Sequence, residues 1–291
     1  MLAELFSIVA PVYCCAALGY LWTRLGRPYD SDLIGDLIMT IGAPCLVFSS
    51  LVSLEVETGA LVQMAAATAL ALVAMSLLAA GVLLAFRLPL TSFLAPMVLP
   101  NTGNMGLPVC LFAFGEEGLA LGVVVFAITA TTQFTLGMWL WSGRGSLGQF
   151  IRTPVTLAAL LSIAVLAGGF EPPRFVLRTA DILGGITIPL MQFTLGVSIA
   201  RLKIGHIPKT LSLSIFRLAL GVGVGVGVAE WLGLTGVARG VLIVDCAMPV
   251  AVFNYMMAER FGRSPTEVAG TVVLSTLLAF GTLPLLLAWL I

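Results

Sequence analysis

Residues 99–114 read LPNTGNMGLPVCLFAF, and this stretch decides the fold. Pro100 and Pro108 bracket Asn101, Thr102, Gly103, Asn104, Met105, Gly106 and Leu107, at mid-depth in an apolar run that spans roughly 91–114. Each proline inside a helix removes a backbone hydrogen bond, and its ring clashes with the preceding turn. In a bilayer, freed backbone groups are tolerated only where they face protein or a wet cavity. The stretch therefore predicts an unwound segment between two half-helices. The alternative is a proline-kinked helix whose asparagines bond their own backbone. A second stretch, DCAMPVAVFNY at 245–255, supplies a partner interruption around Pro249.

Composition identifies the solvent around both stretches. Of 291 residues, 59% are hydrophobic and only 10% charged, and the mean hydropathy is +1.10. Soluble domains carry about 25% charged residues, so a bilayer must cover this apolar surface. The net charge of zero implies no nucleic-acid partner. Cys14, Cys15, Cys45, Cys110 and Cys246 lie in apolar runs without metal-ligand spacing and read as small buried hydrophobes. The start MLAELF has Glu4 and no basic residue, so residues 2–22 read as a retained first span rather than a secretory signal.

A transmembrane helix needs about 20 mostly apolar residues. Cutting at charges and turn residues gives spans 2–22, 33–53, 60–86, 91–114, 118–141, 153–170, 181–200, 210–232, 237–258 and 267–290. Orientation follows the bias of basic residues toward cytoplasmic loops. With the N-terminus outside, the inner loops hold Arg24, Arg27, Arg87, Arg144, Arg152, Arg201, Lys203, Lys209, Arg217, Arg260 and Arg263. The outer loops hold only Arg174, Arg178 and Arg239. Arg217 interrupts span eight and is expected to snorkel to the inner interface. The fold class expected is all-α integral membrane, with ten transmembrane helices as two inverted five-helix repeats and broken crossover helices four and nine. Residues 1–142 form the first repeat, 143–152 a cytoplasmic linker and 153–291 the second.

Internal similarity supports that division. Span four reads PVCLFAF at 108–114 and span nine PVAVFNY at 249–255; GAPCLVF around Pro44 resembles TIPLMQF around Pro189. Half-helix N-termini offer unpaired N–H groups and a partial positive charge, which suits an anion. Unwound carbonyls and asparagine side chains suit a cation. Asp245 is the one acidic residue deep in an apolar span. Ionised there it costs about 2.5–3.5 kcal/mol, so it must face a cavity, pair, or carry a proton. It couples a cation or caps the half-helix. Thr129, Thr131, Thr132, Gln133 and Thr135 crowd span five; most such hydroxyls satisfy their own helix. Gln63 and Gln192 are weaker candidates, Asp36, Glu116 and Glu117 read as solvated, and His206 as a surface residue. The run GVGVGVG at 221–227 lacks nucleotide-loop spacing and reads as two helix-packing pairs, Gly221/Gly225 and Gly223/Gly227.

LPNTGNMGLPVCLFAFGEEGLALG, AMPVAVFNYMMAERFG and VVLSTLLAFGTLPLLL together resemble the auxin efflux carrier family of permeases, along nearly the whole chain. The short central loop is similar to that of bacterial members. The resemblance implies ten helices, crossed broken helices four and nine, and transport of organic anions, in bacteria often dicarboxylates such as malonate or malate. A more distant likeness, Asp245-Cys246-Ala247-Met248-Pro249 against the E-x-G-M-Q segment of bile acid:sodium symporters, implies Na+ at Asp245 with Asn101 or Asn104. Pro249 in place of the glutamine removes one of that site's ligands.

These readings converge on a secondary transporter of mono- or dicarboxylates in the bacterial inner (cytoplasmic) membrane, with both termini periplasmic. Its alternating access is expected by elevator-like or rocking motion. Substrate would be held by Asn101, Thr102, Asn104, Gly106, Pro108, Pro249 and Asn254. Cation coupling would fall to Asp245, Asn104, Thr132 and Gln133. No catalytic residue, no cofactor and no resident metal are expected, and Na+ or H+ is the coupling ion wherever transport is coupled. The partners expected are the organic anion and the lipid bilayer; a homodimer is left open. The alternatives are a sodium-dependent bile-acid-type symporter and an uncoupled uniporter or channel on the same fold. A membrane-embedded enzyme is disfavoured, because one peripheral His and one deep Asp supply no catalytic cluster.

Overall fold

The computed structural model describes residues 2–53, 58–142, 153–202 and 205–291, and the expected linker at 143–152 lies outside them. Every regular element among the described residues is helical. In the first half these are α1 (Leu2–Arg24), α2 (Ser31–Leu37), α3 (Ala43–Ser53), α4 (Thr58–Ala85), α5 (Leu90–Val98), α6 (Leu107–Thr132) and α7 (Met138–Ser142). In the second they are α8 (Pro154–Gly168), α9 (Arg174–Gly185), α10 (Thr187–Arg201), α11 (Ile207–Trp231), α12 (Gly236–Ala247), α13 (Phe253–Arg260) and α14 (Pro265–Leu290). Wider π-helical turns at Ile38–Gly42, Thr102–Gly106 and Gln133–Gly137 join α2 to α3, lead into α6, and join α6 to α7.

The sequence explains where these helices start, stop and bend. Asp30 caps α2, its carboxylate accepting from the amides of Asp32 and Leu33 at 3.1 and 3.0 Å. Gly115, at φ 68° and ψ −157°, breaks α6 between Phe114 and Glu116. Glu116 and Glu117 are exposed beside that break, as expected of solvated residues, and so are Asp36 and His206. Gly169, at φ 60°, ends α8 in the left-handed conformation that favours glycine. The 28 residues of α4 carry no charge; at 1.5 Å per residue they reach about 42 Å, beyond the ~30 Å hydrocarbon core. Six helices among the described residues are long and apolar enough to cross a membrane. Leu77, Leu160, Ile215 and Leu285 point outward with half or more of their surface exposed. This is the pattern of a multi-pass membrane protein, whose surface residues meet lipid.

Packing is closest where glycine removes a side chain. A methyl group on Gly19 would collide with the Phe193 carbonyl, and one on Gly196 with the Ala16 carbonyl, so α1 and α10 touch backbone to backbone. A Cβ on Gly184 would lie 2.8 Å from the Leu46 backbone, which seats α9 against α3 beside Pro44. On α11, Gly221 and Gly225 lie against Cys246 and Ile243 of α12. Gly223 and Gly227 face open space, so only the first of the two expected glycine pairs packs.

Three further expectations are corrected. Arg217 does not snorkel: it is fully buried in α11, and its Nη2 donates to the Cys246 carbonyl at 3.1 Å. A backbone acceptor inside the protein replaces the water that snorkelling would have reached. Of the five cysteines only Cys110 and Cys246 are buried, and Cys14 is exposed on α1. The first interruption is shorter than the Pro100–Pro108 bracket. Helix resumes as a π turn at Thr102, and Pro108 sits in the first turn of α6, where no backbone donor is needed.

Candidate functional site

The two interruptions meet. Pro100 and Val250 form an isolated antiparallel bridge. The Asn101 amide donates to the Pro249 carbonyl at 2.9 Å, and the Ala251 amide to the Leu99 carbonyl at 3.3 Å. Each broken stretch of backbone thus satisfies the other among buried residues. Ser275 of α14 braces the pair, its Oγ accepting from the Val250 amide at 3.1 Å. The bridge pairs Pro100, not Pro108, with the Pro249 segment. The PVCLFAF/PVAVFNY register is therefore offset from the register in which the interruptions meet.

Two helix starts face this crossing. The π turn Thr102–Gly106 is capped by Asn101, whose Oδ1 accepts from the Asn104 amide at 3.4 Å. The other start, α13, follows Val252 directly. The first amides of a helix have no acceptor within it, and the positive end of the helix dipole lies there. Between them lies a cavity of about 70 Å³, several times the ~10–15 Å³ that one water needs. Its walls are Pro100, Asn101, Thr102, Gly103 and Asn104 from the first interruption, and Ala251, Val252 and Phe253 from the second. Met39, Phe126, Thr129, Ala130, Gln133 and Met191 complete it. No ionisable side chain is among them. Two buried groups of this lining have no hydrogen-bond partner among the described residues, Asn101 Nδ2 and Thr129 Oγ1. A buried donor without an acceptor costs about 1–3 kcal/mol, which a bound polar solute would recover.

The residues singled out from sequence distribute unevenly around this cavity. Asn101, Thr102, Asn104 and Gln133 line it. Pro249 lies in the bridge behind it. Asn254 is buried one residue beyond the lining, its Nδ2 donating to the Ala251 carbonyl at 3.2 Å and its Oδ1 unpartnered. Thr132 turns away and donates to the Ile128 carbonyl at 2.8 Å. Gly106 and Pro108 lie deeper in the wall, not on the cavity. Asp245 is fully buried between α12 and α6; Cys110 Sγ donates to its Oδ2 at 3.7 Å. A methyl group on Gly106 would collide with Oδ1, which has no partner among the described residues. Asp245 thus lies against the end of the π turn and is not among the residues that line the cavity. Gln192 is buried with an unpartnered Nε2 but off the cavity, and Gln63 is exposed.

Met39, Phe126 and Met191 were not foreseen. Apolar wall residues look like any other apolar residue in sequence. All three π turns contribute lining: Met39 from Ile38–Gly42, Thr102, Gly103 and Asn104 from Thr102–Gly106, and Gln133 from Gln133–Gly137. Such widened turns concentrate at functional sites, yet residue type does not announce them.

The chain matches the family model for membrane transport proteins over residues 5–150 and 146–287. It is a member of the auxin efflux carrier family of membrane transport proteins. An uncharacterized transporter of Methanocaldococcus jannaschii is 29% identical over 191 residues, 62% of this chain and 61% of that one. A candidate malonate transporter of Rhizobium meliloti is 24% identical over 198 residues, again 62% and 61%. A probable auxin efflux carrier component of Oryza sativa subsp. japonica is 25% identical over 173 residues, 57% of this chain and 28% of that one. The matches thus span about three fifths or less of each of these relatives. All are named as carriers or transporters rather than enzymes. None is a bile acid:sodium symporter, and that further likeness rests on the DCAMP segment alone.

Proposed function

We propose that this carrier moves a small mono- or dicarboxylate across the cytoplasmic membrane by alternating access at the crossing of its two broken helices. The observation that carries the reading is the cavity itself. It is headed by two half-helix N-termini, holds unpartnered Asn101 and Thr129 groups, and contains no ionisable side chain. Backbone amides and helix dipoles stabilise an anion without fixed cations competing for water. About 70 Å³ suits a carboxylate of a few heavy atoms more than a bulky one, and the name of the Rhizobium meliloti relative points the same way.

The ten-span inverted repeat belongs to this proposal. The order of elements supports it. A helix with a bend ahead of Pro44 or Pro189, one long unbroken helix, one broken helix and one further long helix follow one another in each half. The N-terminus-outside orientation rests on the distribution of Arg and Lys, and coupling to Na+ or H+ on Asp245. The test is uptake of radiolabelled malonate and malate into proteoliposomes, with and without imposed Na+ or pH gradients. The reading expects saturable uptake of at least one small carboxylate. Gradient-driven uptake that survives unchanged in Asp245→Asn removes coupling from that residue, and turnover of the solute without translocation removes transport itself.

A further inference from the structure

Arg217 is the one cation buried in the middle of α11; Lys209 and Glu230 lie at its ends, and Arg239 at the start of α12. Its guanidinium is sealed from solvent, with Nη2 on the Cys246 carbonyl and with Nε and Nη1 unpartnered among the described residues. Cys246 lies in the last turn of α12, so this is the carbonyl end of a half-helix, where the dipole is negative. Asp245, in the same turn, is a buried carboxyl group whose Oδ1 has no partner among the described residues. Gly221, one turn beyond Arg217, keeps the space between them open. A Cβ there would collide with the Cys246 oxygen and stand 2.8 Å from Nη1. The approach of a guanidinium to a half-helix end thus depends on a glycine of the GVGVGVG run.

In carriers with broken helices, unwound carbonyls and half-helix carbonyl ends commonly coordinate a metal cation. Here a guanidinium occupies one. We infer that Arg217 is a resident cation of the crossing, a positioning residue that takes the place of a metal ion at the carbonyl end of α12. The inference rests on the proposed anion transport and deepens it. A carboxylate at the cavity adds negative charge near the crossing, and Arg217 of α11 supplies a fixed positive charge bonded to the end of α12. A guanidinium keeps its charge at all physiological pH values and offers more donors than the single carbonyl uses. Solute passage accordingly needs no sodium, which narrows the coupling proposed for Asp245 to H+.

The full chain in detergent and in proteoliposomes tests this with two readouts. Thermal unfolding of the unmodified carrier in NaCl is compared with choline chloride at equal ionic strength. A resident Arg217 predicts midpoints within about 1 °C of each other, whereas a bound sodium ion stabilises by mass action, and a sodium-specific rise of about 5 °C or more overturns the inference. Malonate uptake is then compared for Arg217→Lys and Arg217→Met, per carrier that elutes monodisperse. The expected result is a loss of tenfold or more in Arg217→Met, substantial rescue in Arg217→Lys, and no sodium dependence in the unmodified carrier. Equal uptake by Arg217→Met and the unmodified carrier overturns it. If the unmodified carrier moves no carboxylate, the transport reading fails, and the sodium comparison of unfolding still decides the role of Arg217. The same comparison decides if neither variant folds.

Discussion

At the scale of single residues, the cavity is polar through a few groups only. Asn101 contributes twice: its Oδ1 caps the π turn and its Nδ2 is left without an acceptor. A hydrogen bond to a charged group contributes about 1.5–3 kcal/mol. Asn101→Ala is therefore expected to raise the KM for a carboxylate by roughly ten- to a hundredfold, measured as initial uptake rates. Thr129→Val removes a single hydroxyl and is expected to cost less, roughly fivefold. Gly106 makes a different prediction. Any side chain there meets Asp245 Oδ1, so Gly106→Ala is expected to destabilise by about 1–3 kcal/mol, read as a lowered unfolding midpoint in detergent. Sequence exposed Asn101, Thr102 and Asn104 because asparagines and glycines between prolines are conspicuous in an apolar run. It misplaced Arg217, because a basic residue near the end of an apolar run looks the same whether it reaches for headgroups or for a buried carbonyl. It could not tell that Asp245 meets Gly106 rather than lining the cavity, because residue types do not show which way a buried carboxyl points.

At the scale of elements, the crossing is held by two reciprocal backbone bonds and one side chain. Ser275 of α14 bonds the bridge backbone from a neighbouring helix, through the Val250 amide. Ser275→Ala leaves that amide buried without a partner, a loss of about 1–3 kcal/mol. The expected outcome is a lower unfolding midpoint together with weakened solute binding, since α13 starts three residues on. Ser275→Thr keeps a hydroxyl and is expected to retain most of both. The broken helices were legible from Pro100 and Pro249. Their exact starts were not. Pro108 looks like a breaker, but in the first turn of α6 its missing donor costs nothing, and the fixed φ of proline suits a helix start. The repeat seen as PVCLFAF and PVAVFNY likewise aligned two prolines with different roles, one opening a helix and one inside a bridge.

At the scale of the whole molecule, length and hydropathy sufficed to predict an all-helical membrane protein, because few charged residues leave no soluble alternative. α4 and α14 follow the expected spans 60–86 and 267–290 closely, whereas α6 runs on across the expected gap between 114 and 118. How helices from distant parts of the chain pack was less legible. Contacts such as Gly196 against the Ala16 carbonyl depend on glycines that resemble the many others in the chain. Orientation yields its own prediction. Single cysteines replacing Arg24 and Arg260 are expected to react with a membrane-impermeant maleimide only from the cytoplasmic side, and one replacing Arg174 only from the periplasmic side. The reverse pattern would contradict the basic-residue reading. The central claim, that the crossing is the solute site and opens alternately to both sides, is tested most directly at Thr102, which is buried in the cavity wall. Thr102→Cys, in a carrier whose five native cysteines are replaced by serine, is labelled from each side of sealed vesicles with and without malonate. The account predicts labelling from both sides and protection by the transported carboxylate; labelling from neither side, or labelling that no carboxylate slows, would contradict it.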